Sequence, residues 1–316
     1  MLFSKQQYSK PGFINDKEIG IISPSSPCPE FIPEKIHRGC VNIEKMGFRV
    51  RLDSKVYEEY PETEEGYMKR ACVINSLFAD KAVGGIICKT GGSGAINVLK
   101  YLDNFTIQSN QKMVCGYSDN TSLLMYLNDR LKLVVFHGPT LVPGMSDLDD
   151  VSRNYFIKVC SENNYPVEIK SESFISWNKG RVTGKLIGGN LTRLVEYLHR
   201  FPDTTFKNKI LFLEETGENS MYIDSRFTFL KEKRFFKGVK GVLFGHFKGA
   251  GENELSNVKR HLLDILGIDQ VPVLYGFTSG HCKEKIILPF GTDVTIDASE
   301  QKVVYEECPF SSANLK

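Results

Sequence analysis

Through its first half the chain alternates strand-sized apolar runs with longer stretches of helical spacing, and that alternation leaves few ways to fold. Ile19-Gly20-Ile21-Ile22 breaks into Ser23-Pro24-Ser25-Ser26-Pro27, as a buried parallel strand ending in a loop does. Pro33 to Met46 then carries Ile36, Cys40 and Ile43 at helical spacing. Phe48-Arg49-Val50, Ala82 to Cys88 and Lys112 to Cys115 read as further strands. Helices are predicted over Glu64 to Asp80, around Ile96, Leu99 and Leu102, and from Thr121 onward. This β-α order predicts an open parallel sheet with right-handed crossovers.

From about Asp147 to Arg181 the pattern thins into Ser, Asn, Lys and Glu with short apolar pieces. The expected division is therefore residues 1–165, a linker at 166–183, and a second unit at 184–316. That second half carries Gly184-Lys185-Leu186-Ile187-Gly188-Gly189-Asn190-Leu191, a helix through Leu194, Tyr197 and Leu198, and a strand from Lys209 to Leu213. A helix around Phe227 to Lys233, a strand from Gly241 to His246 and a helix from Asn257 to Leu266 follow. Val271 to Tyr275 reads as a strand, and Ile286 to Glu306 as a β-like stretch.

Charge and cysteine usage remove several function classes. Forty Lys and Arg against 38 Asp and Glu give a formal net charge of +2, so no global field draws the chain to nucleic acid or an anionic membrane. The longest apolar runs, such as Leu133-Val134-Val135-Phe136 and Gly241-Val242-Leu243-Phe244, fall far short of the about 20 residues of a membrane helix. Met1 to Tyr8 turns polar at once without an apolar signal core, which sets the expectation of a cytoplasmic protein. The eight cysteines show no Cys-x-x-Cys pair and no regular histidine spacing, so neither a disulfide framework nor a zinc site is expected.

In open α/β sheets ligands bind at the carboxyl ends of the strands, which points to the turns at Gly91 and Ser118. In Cys115-Gly116-Tyr117-Ser118-Asp119-Asn120 the serine has the position of a nucleophile elbow, where a strained turn lifts the hydroxyl above the sheet and frees the next N–H as an oxyanion donor. Asn120 stands where Gly-x-Ser-x-Gly has its second glycine, and a helix N-cap serine is the alternative. Thr90-Gly91-Gly92-Ser93-Gly94 lets backbone N–H groups approach an anion, or is a plain tight turn; it is neither a Walker loop nor a dinucleotide fingerprint. A serine nucleophile needs a base, and His137, His246 and His281 each border a candidate cleft. Position alone does not choose among them. The strand Lys209 to Leu213 runs into Glu214-Glu215, and period-two alternation puts the two carboxylates on opposite faces without saying which face is the cleft.

Taken together, Ile21 to Pro27, Thr90 to Gly94, Gly116-Tyr117-Ser118-Asp119-Asn120-Thr121, His137-Gly138-Pro139, Gly184 to Leu191, Leu211 to Glu215, and Gly280-His281 followed by Leu288-Pro289-Phe290-Gly291 resemble the LD-carboxypeptidase family of serine peptidases, which includes the microcin C self-immunity peptidases. The resemblance runs from about Glu18 to Glu306. It implies Ser118 as nucleophile, His281 as general base and Glu214 as the orienting acid, with the backbone N–H groups of Gly92 and Asp119 as the oxyanion hole. It also implies no metal and no cofactor, and a homodimer. The substrate implied is a small peptide with an L-centre followed by a D-residue, as in the murein tetrapeptide of cell-wall recycling, or an aminoacyl-nucleotide toxin. Gly91, Ser93 and Asn190 are substrate-contact candidates by position, with a turn or cap role as the alternative.

The fold expected is α/β: a flavodoxin-like open parallel sheet carrying the elbow, and a second, smaller α/β domain with a mixed or barrel-like sheet. Because Ser118 falls in one unit and Glu214 and His281 in the other, the two must close on each other for the site to form. Thr90 stands where the LD-carboxypeptidase branch often has Arg, and the segment from Tyr165 to Gly184 is short. That leaves Trp177, the single indole, as a stacking candidate or a packing residue. A reading from another class is a non-catalytic module cradling a phosphate or flavin at Gly91 to Gly94, which leaves the Glu214 and His281 motifs unused.

Overall fold

The computed structural model describes residues 8–12, 14, 17–25, 33–53, 58, 60–161, 165–249, 259 and 271–311. The first half gives β1 (Glu18–Ile22), α1 (Pro33–Lys45), β2 (Arg49–Arg51), α2 (Glu64–Ala79), β3 (Val83–Cys88), α3 (Ala95–Val98), α4 (Asn104–Ser109), β4 (Met113–Gly116), α5 (Thr121–Met125), β5 (Val135–His137) and α6 (Asp150–Val159). β6 (Val167–Lys170), β7 (Ile175–Asn178), β8 (Arg181–Asn190), α7 (Leu191–Arg200), β9 (Lys209–Thr216), α8 (Ser220–Glu232), β10 (Gly241–Lys248), β11 (Val273–Tyr275), β12 (Leu288–Phe290), β13 (Asp293–Asp297) and β14 (Lys302–Tyr305) follow. The helix expected over Asn257 to Leu266 lies outside the described residues.

β2, β1, β3, β4 and β5 lie in that order, all parallel, which is the flavodoxin-like arrangement expected. β3 and β4 are buried along their whole length because helices cover both faces, and the sequence pays in return with continuous apolar runs. One strand departs from the expectation: β12 comes from the second half and pairs antiparallel with β5, so the first sheet is mixed at that edge. Leu288, Pro289 and Phe290 are all buried, and that short apolar run finds its cover on the far unit rather than beside its sequence neighbours.

The second sheet has the order β6-β14-β13-β8-β9-β10-β11-β7. Its centre, β8 to β11, is parallel, and β7, β13, β14 and β6 pair antiparallel around it. It is mixed and open, since β6 and β7 are not paired with each other among the described residues. The stretch 166–183, expected as a linker, contains β6, β7 and the start of β8. Val167-Glu168-Ile169-Lys170 alternates buried and exposed residues, the pattern of a strand with one face on the core and one in water, so its polar half reads as loop. Among the described residues no helix is long and apolar enough to cross a membrane.

Candidate active site

Ser118 follows β4 with φ of 62°, in the left-handed region that a non-glycine residue rarely occupies. It opens a short 3-10 turn, Ser118–Asn120, that leads into α5. Tyr117, not Ser118, holds the cap position, and no side chain caps it, so the serine is not an N-cap residue. The residue that replaces the second glycine fastens the turn: Asn120 Nδ2 donates to Thr90 O and to Tyr117 O, each at 2.9 Å. Gly91 passes so close that a Cβ there would lie 2.9 Å from Ser118 Oγ, which is why position 91 carries no side chain.

Three elements converge on the hydroxyl. His281 Nε2 lies 3.1 Å from Ser118 Oγ, and His281 Nδ1 lies 2.7 Å from Glu214 Oε2, which also accepts the His281 amide at 3.3 Å. β9 continues past Leu213 to Thr216, so Glu214 is a strand residue, wholly buried. Burial alone pushes its carboxyl up, but the hydrogen bond and charge of His281 outweigh it and hold the group below its ordinary value. Gly280, at φ of 84°, carries the backbone over that carboxylate; a Cβ there would sit 2.6 Å from Oε2. Lys285 fixes the loop from behind, its amide donating to Ser152 Oγ of α6 at 2.7 Å and its Nζ to Cys282 O at 2.7 Å. The Tyr117 ring stands edge-on to His281 with centroids 4.9 Å apart.

The other histidines sit elsewhere. His137 is fully buried among Tyr117, Phe212 and Phe290, and burial lowers its imidazole to about 4. His246 lines a cavity of about 660 Å³ that opens beside His281, together with Tyr275, Lys248, Lys283 and Lys285. Trp177 stacks on the Tyr275 ring at 4.7 Å and 6°, a packing position behind that wall. Among the described residues no group of His, Cys, Asp and Glu comes together as a metal site.

Of the substrate-contact candidates, Gly91 lies against Ser118, whereas Ser93 turns its hydroxyl to Glu62 Oε1 at 2.7 Å. Asn190 caps α7: its Oδ1 accepts the Arg193 amide at 3.2 Å and its Nδ2 donates to Glu215 Oε1 at 2.8 Å. Its own amide donates to Thr121 Oγ1 at 3.1 Å, tying α7 to the helix behind Ser118. Arg193 escaped the sequence reading, and Glu215 appeared there only as the carboxylate on the other face from Glu214. An acidic strand end and a charged helix residue both look solvated in one dimension; the Asn190-x-x-Arg193 spacing marks the helix start, since Asn190 Oδ1 accepts the Arg193 amide, but carries no signal of where the guanidinium goes.

Residues 19–138 match the LD-carboxypeptidase N-terminal domain and residues 183–296 the LD-carboxypeptidase C-terminal domain. The chain is 28% identical to a putative carboxypeptidase of Vibrio cholerae, across 92% of this chain and 95% of that one. It is 27% identical to a probable murein peptide carboxypeptidase of Bacillus subtilis, covering 94% of each. To the microcin C7 self-immunity protein MccF of Escherichia coli it is 27% identical, covering 92% of this chain and 93% of that one. The fold superposes on MccF in complex with glutamyl sulfamoyl guanosine with a TM-score of 0.85 at 23% identity, covering 96% of this chain and 99% of that one.

Proposed function

The chain belongs to the LD-carboxypeptidase family and is a peptidase, and from that premise we propose that it is a serine carboxypeptidase cleaving the amide between an L-configured centre and a following D-amino acid, as in murein tetrapeptides. The observation that carries this reading is the unbroken contact from Ser118 Oγ through His281 to the buried Glu214 carboxylate, at 3.1 and 2.7 Å.

In this reaction His281 Nε2 takes the proton of Ser118 as Oγ attacks the scissile carbonyl. Glu214 keeps the Nδ1–H tautomer facing it and stabilises the imidazolium that forms. The amides of Gly92 and Asp119 receive the oxyanion. His281 then hands its proton to the departing amine, and water, deprotonated by the same imidazole, releases the acyl group from Ser118. The division into residues 1–165 carrying the nucleophile and 184–316 carrying the base and acid belongs to the same proposal, as do cytoplasmic work on recycled cell-wall peptides and a homodimer. His246, Lys248, Lys283 and Lys285 in the adjoining cavity suit a substrate bearing carboxylates.

A second reading, hydrolysis of aminoacyl-nucleotide toxins, has its own support. Relatives of the same fold bind glutamyl sulfamoyl guanosine and aspartyl sulfamoyl adenosine, at TM-scores of 0.85 and 0.84. The test is release of D-alanine from L-Ala-γ-D-Glu-meso-diaminopimelate-D-Ala by the wild type and by Ser118→Ala. Release by the wild type alone is expected. A Ser118→Ala protein as fast as the wild type would overturn the serine mechanism, and cleavage of an aminoacyl sulfamoyl adenosine with none of the tetrapeptide would move the substrate to the second reading.

A further inference from the structure

Arg193 belongs to α7, yet its guanidinium reaches both loops that flank Ser118. Nη2 donates to Gly92 O at 3.2 Å, and Nε lies 3.4 Å from Asp119 Oδ1. Nη1 meets both Glu196 carboxylate oxygens at 2.9 Å, which holds the planar group in place from its far side. Asp119 Oδ2 in turn accepts the Ala95 amide at 2.9 Å. The arginine and the buried Asp119 carboxylate therefore fasten the Gly91–Gly94 loop and the start of α3 to the Ser118 turn at two points, Gly92 and Ala95. Meanwhile the amides of Gly92 and Asp119 are themselves donated to no other protein group among the described residues.

A loop of glycines has no side chains to hold it. Gly92 is exposed, at φ of 134°, in a region open to glycine alone. Left untethered, its amide would sample many directions, and a donor that must be re-aimed at the moment of reaction loses most of its value. The guanidinium is rigid and forked, so one side chain can donate to Gly92 O while its Nε stays paired by charge with the Asp119 carboxylate, a fixed spacing that an ammonium does not supply.

We propose that Arg193 is a positioning residue of the reaction: through Gly92 O and Asp119 Oδ1 it locks the two amides that receive the oxyanion. The inference rests on the reading of Ser118 as nucleophile and extends it.

The test uses a fluorophosphonate, whose phosphoryl oxygen occupies the oxyanion position as Ser118 Oγ attacks phosphorus and fluoride leaves. Labelling of Ser118 is followed by mass spectrometry over a range of reagent concentrations, in the wild type, Arg193→Met and Arg193→Lys. In the Met variant the maximal labelling rate is expected to fall about tenfold, less than the loss of a whole donor, while the half-saturating concentration stays within about twofold. The Lys variant, which keeps the charge beside Asp119 but not the fork, is expected to recover part of the rate. A maximal rate unchanged in the Met variant, a loss confined to half-saturation, or a Lys variant no faster than Met would each overturn the proposal. Should the Met variant lack a cooperative melting transition, the Lys variant decides alone, since a rate equal to wild type would overturn it and an about threefold loss would support it. A wild type that is not labelled at Ser118 would sink the serine mechanism itself, an outcome distinct from labelling that ignores Arg193.

Discussion

Glu214 and Glu215 are consecutive on β9, point to opposite faces of the strand, and serve opposite sides of one site. Glu214 Oε2 holds the His281 ring at 2.7 Å. Glu215, equally buried, accepts the Thr192 amide at 2.9 Å, the Thr192 hydroxyl at 2.7 Å and Asn190 Nδ2 at 2.8 Å, so it anchors the first turn of the helix that carries Arg193. Period-two alternation converts one dipeptide into a support for the base and a support for the Gly92 loop.

Replacing each carboxylate by an amide should separate the two roles. Glu214→Gln presents the wrong group to His281 Nδ1 and disfavours the working tautomer, with an expected loss in kcat of about 10³-fold or more. Glu215→Gln turns one acceptor into a donor facing the Thr192 or Asn190 donors, so it should cost about 1–3 kcal/mol of stability, with a smaller loss in kcat. Denaturant unfolding and steady-state kinetics on both variants check this. Equal kcat losses in the two variants would contradict the division.

Gly280→Ala should damage the site without replacing any of its reacting groups. The position has φ of 84°, and a Cβ would come within 2.6 Å of Glu214 Oε2, a buried atom that accepts from the His281 amide and holds its ring. The left-handed backbone alone costs about 1 kcal/mol or more for alanine, and relief of the clash must move either the carboxylate or His281. A melting temperature lowered by several degrees together with a kcat drop of at least about tenfold is expected. Full activity in a stable Gly280→Ala protein would show that the loop can shift without disturbing the histidine.

The parts of this architecture that were legible in the sequence are those built from local pattern. β3 and β4 are buried throughout and β1 from Ile19 on, so their apolar runs stand out, and the turn after β4 carries its serine at the expected place. Contacts between distant segments left no such mark. β12 crosses to the first sheet because its register with β5 is set in three dimensions. β6 and β7 were hidden by their polar faces, and Asn120 looked like a defect in a glycine motif until its amide was seen bridging Thr90 and Tyr117. Choosing His281 over His137 and His246 required either the family resemblance or the geometry.

His137 should make stability depend on pH. Burial lowers its imidazole from 6.5 to about 4 in the fold. Between those values the unfolded chain binds a proton that the folded chain refuses, so the stability present above pH 6.5 is lost as the pH falls toward about 4. Both ring nitrogens lack a partner among the described residues, so His137→Leu removes no hydrogen bond. Unfolding free energies measured by denaturant at intervals from pH 7 to pH 4.5 should fall less steeply in the variant than in the wild type. Parallel pH profiles would mean that His137 is protonated in the fold as readily as in the unfolded chain.

The cavity beside His281 predicts a charge preference that can be separated from chemistry. Its polar wall comprises His246, Lys248, Lys283, Lys285 and Thr216, and among the described residues no carboxylate lines it, so these groups draw an anionic group there and repel a cationic one. Lys248 is exposed and lines the cavity, which makes it a substrate-facing charge outside the Ser118, His281 and Glu214 chain. Lys248→Glu should therefore raise KM for a carboxylate-bearing peptide by about threefold to tenfold at low ionic strength and leave kcat nearly unchanged, since reversing an exposed charge is worth about 1 kcal/mol. The effect should shrink in 0.5 M salt, where exposed charges more than a few ångströms apart are screened. Lys81→Glu, at the opposite end of β3 and equally exposed, provides the control for net charge. If the two variants raised KM alike, the attraction would belong to the protein as a whole and not to this wall. If Lys248→Glu lowered kcat instead, the lysine would have to act on the reacting atoms rather than on substrate capture.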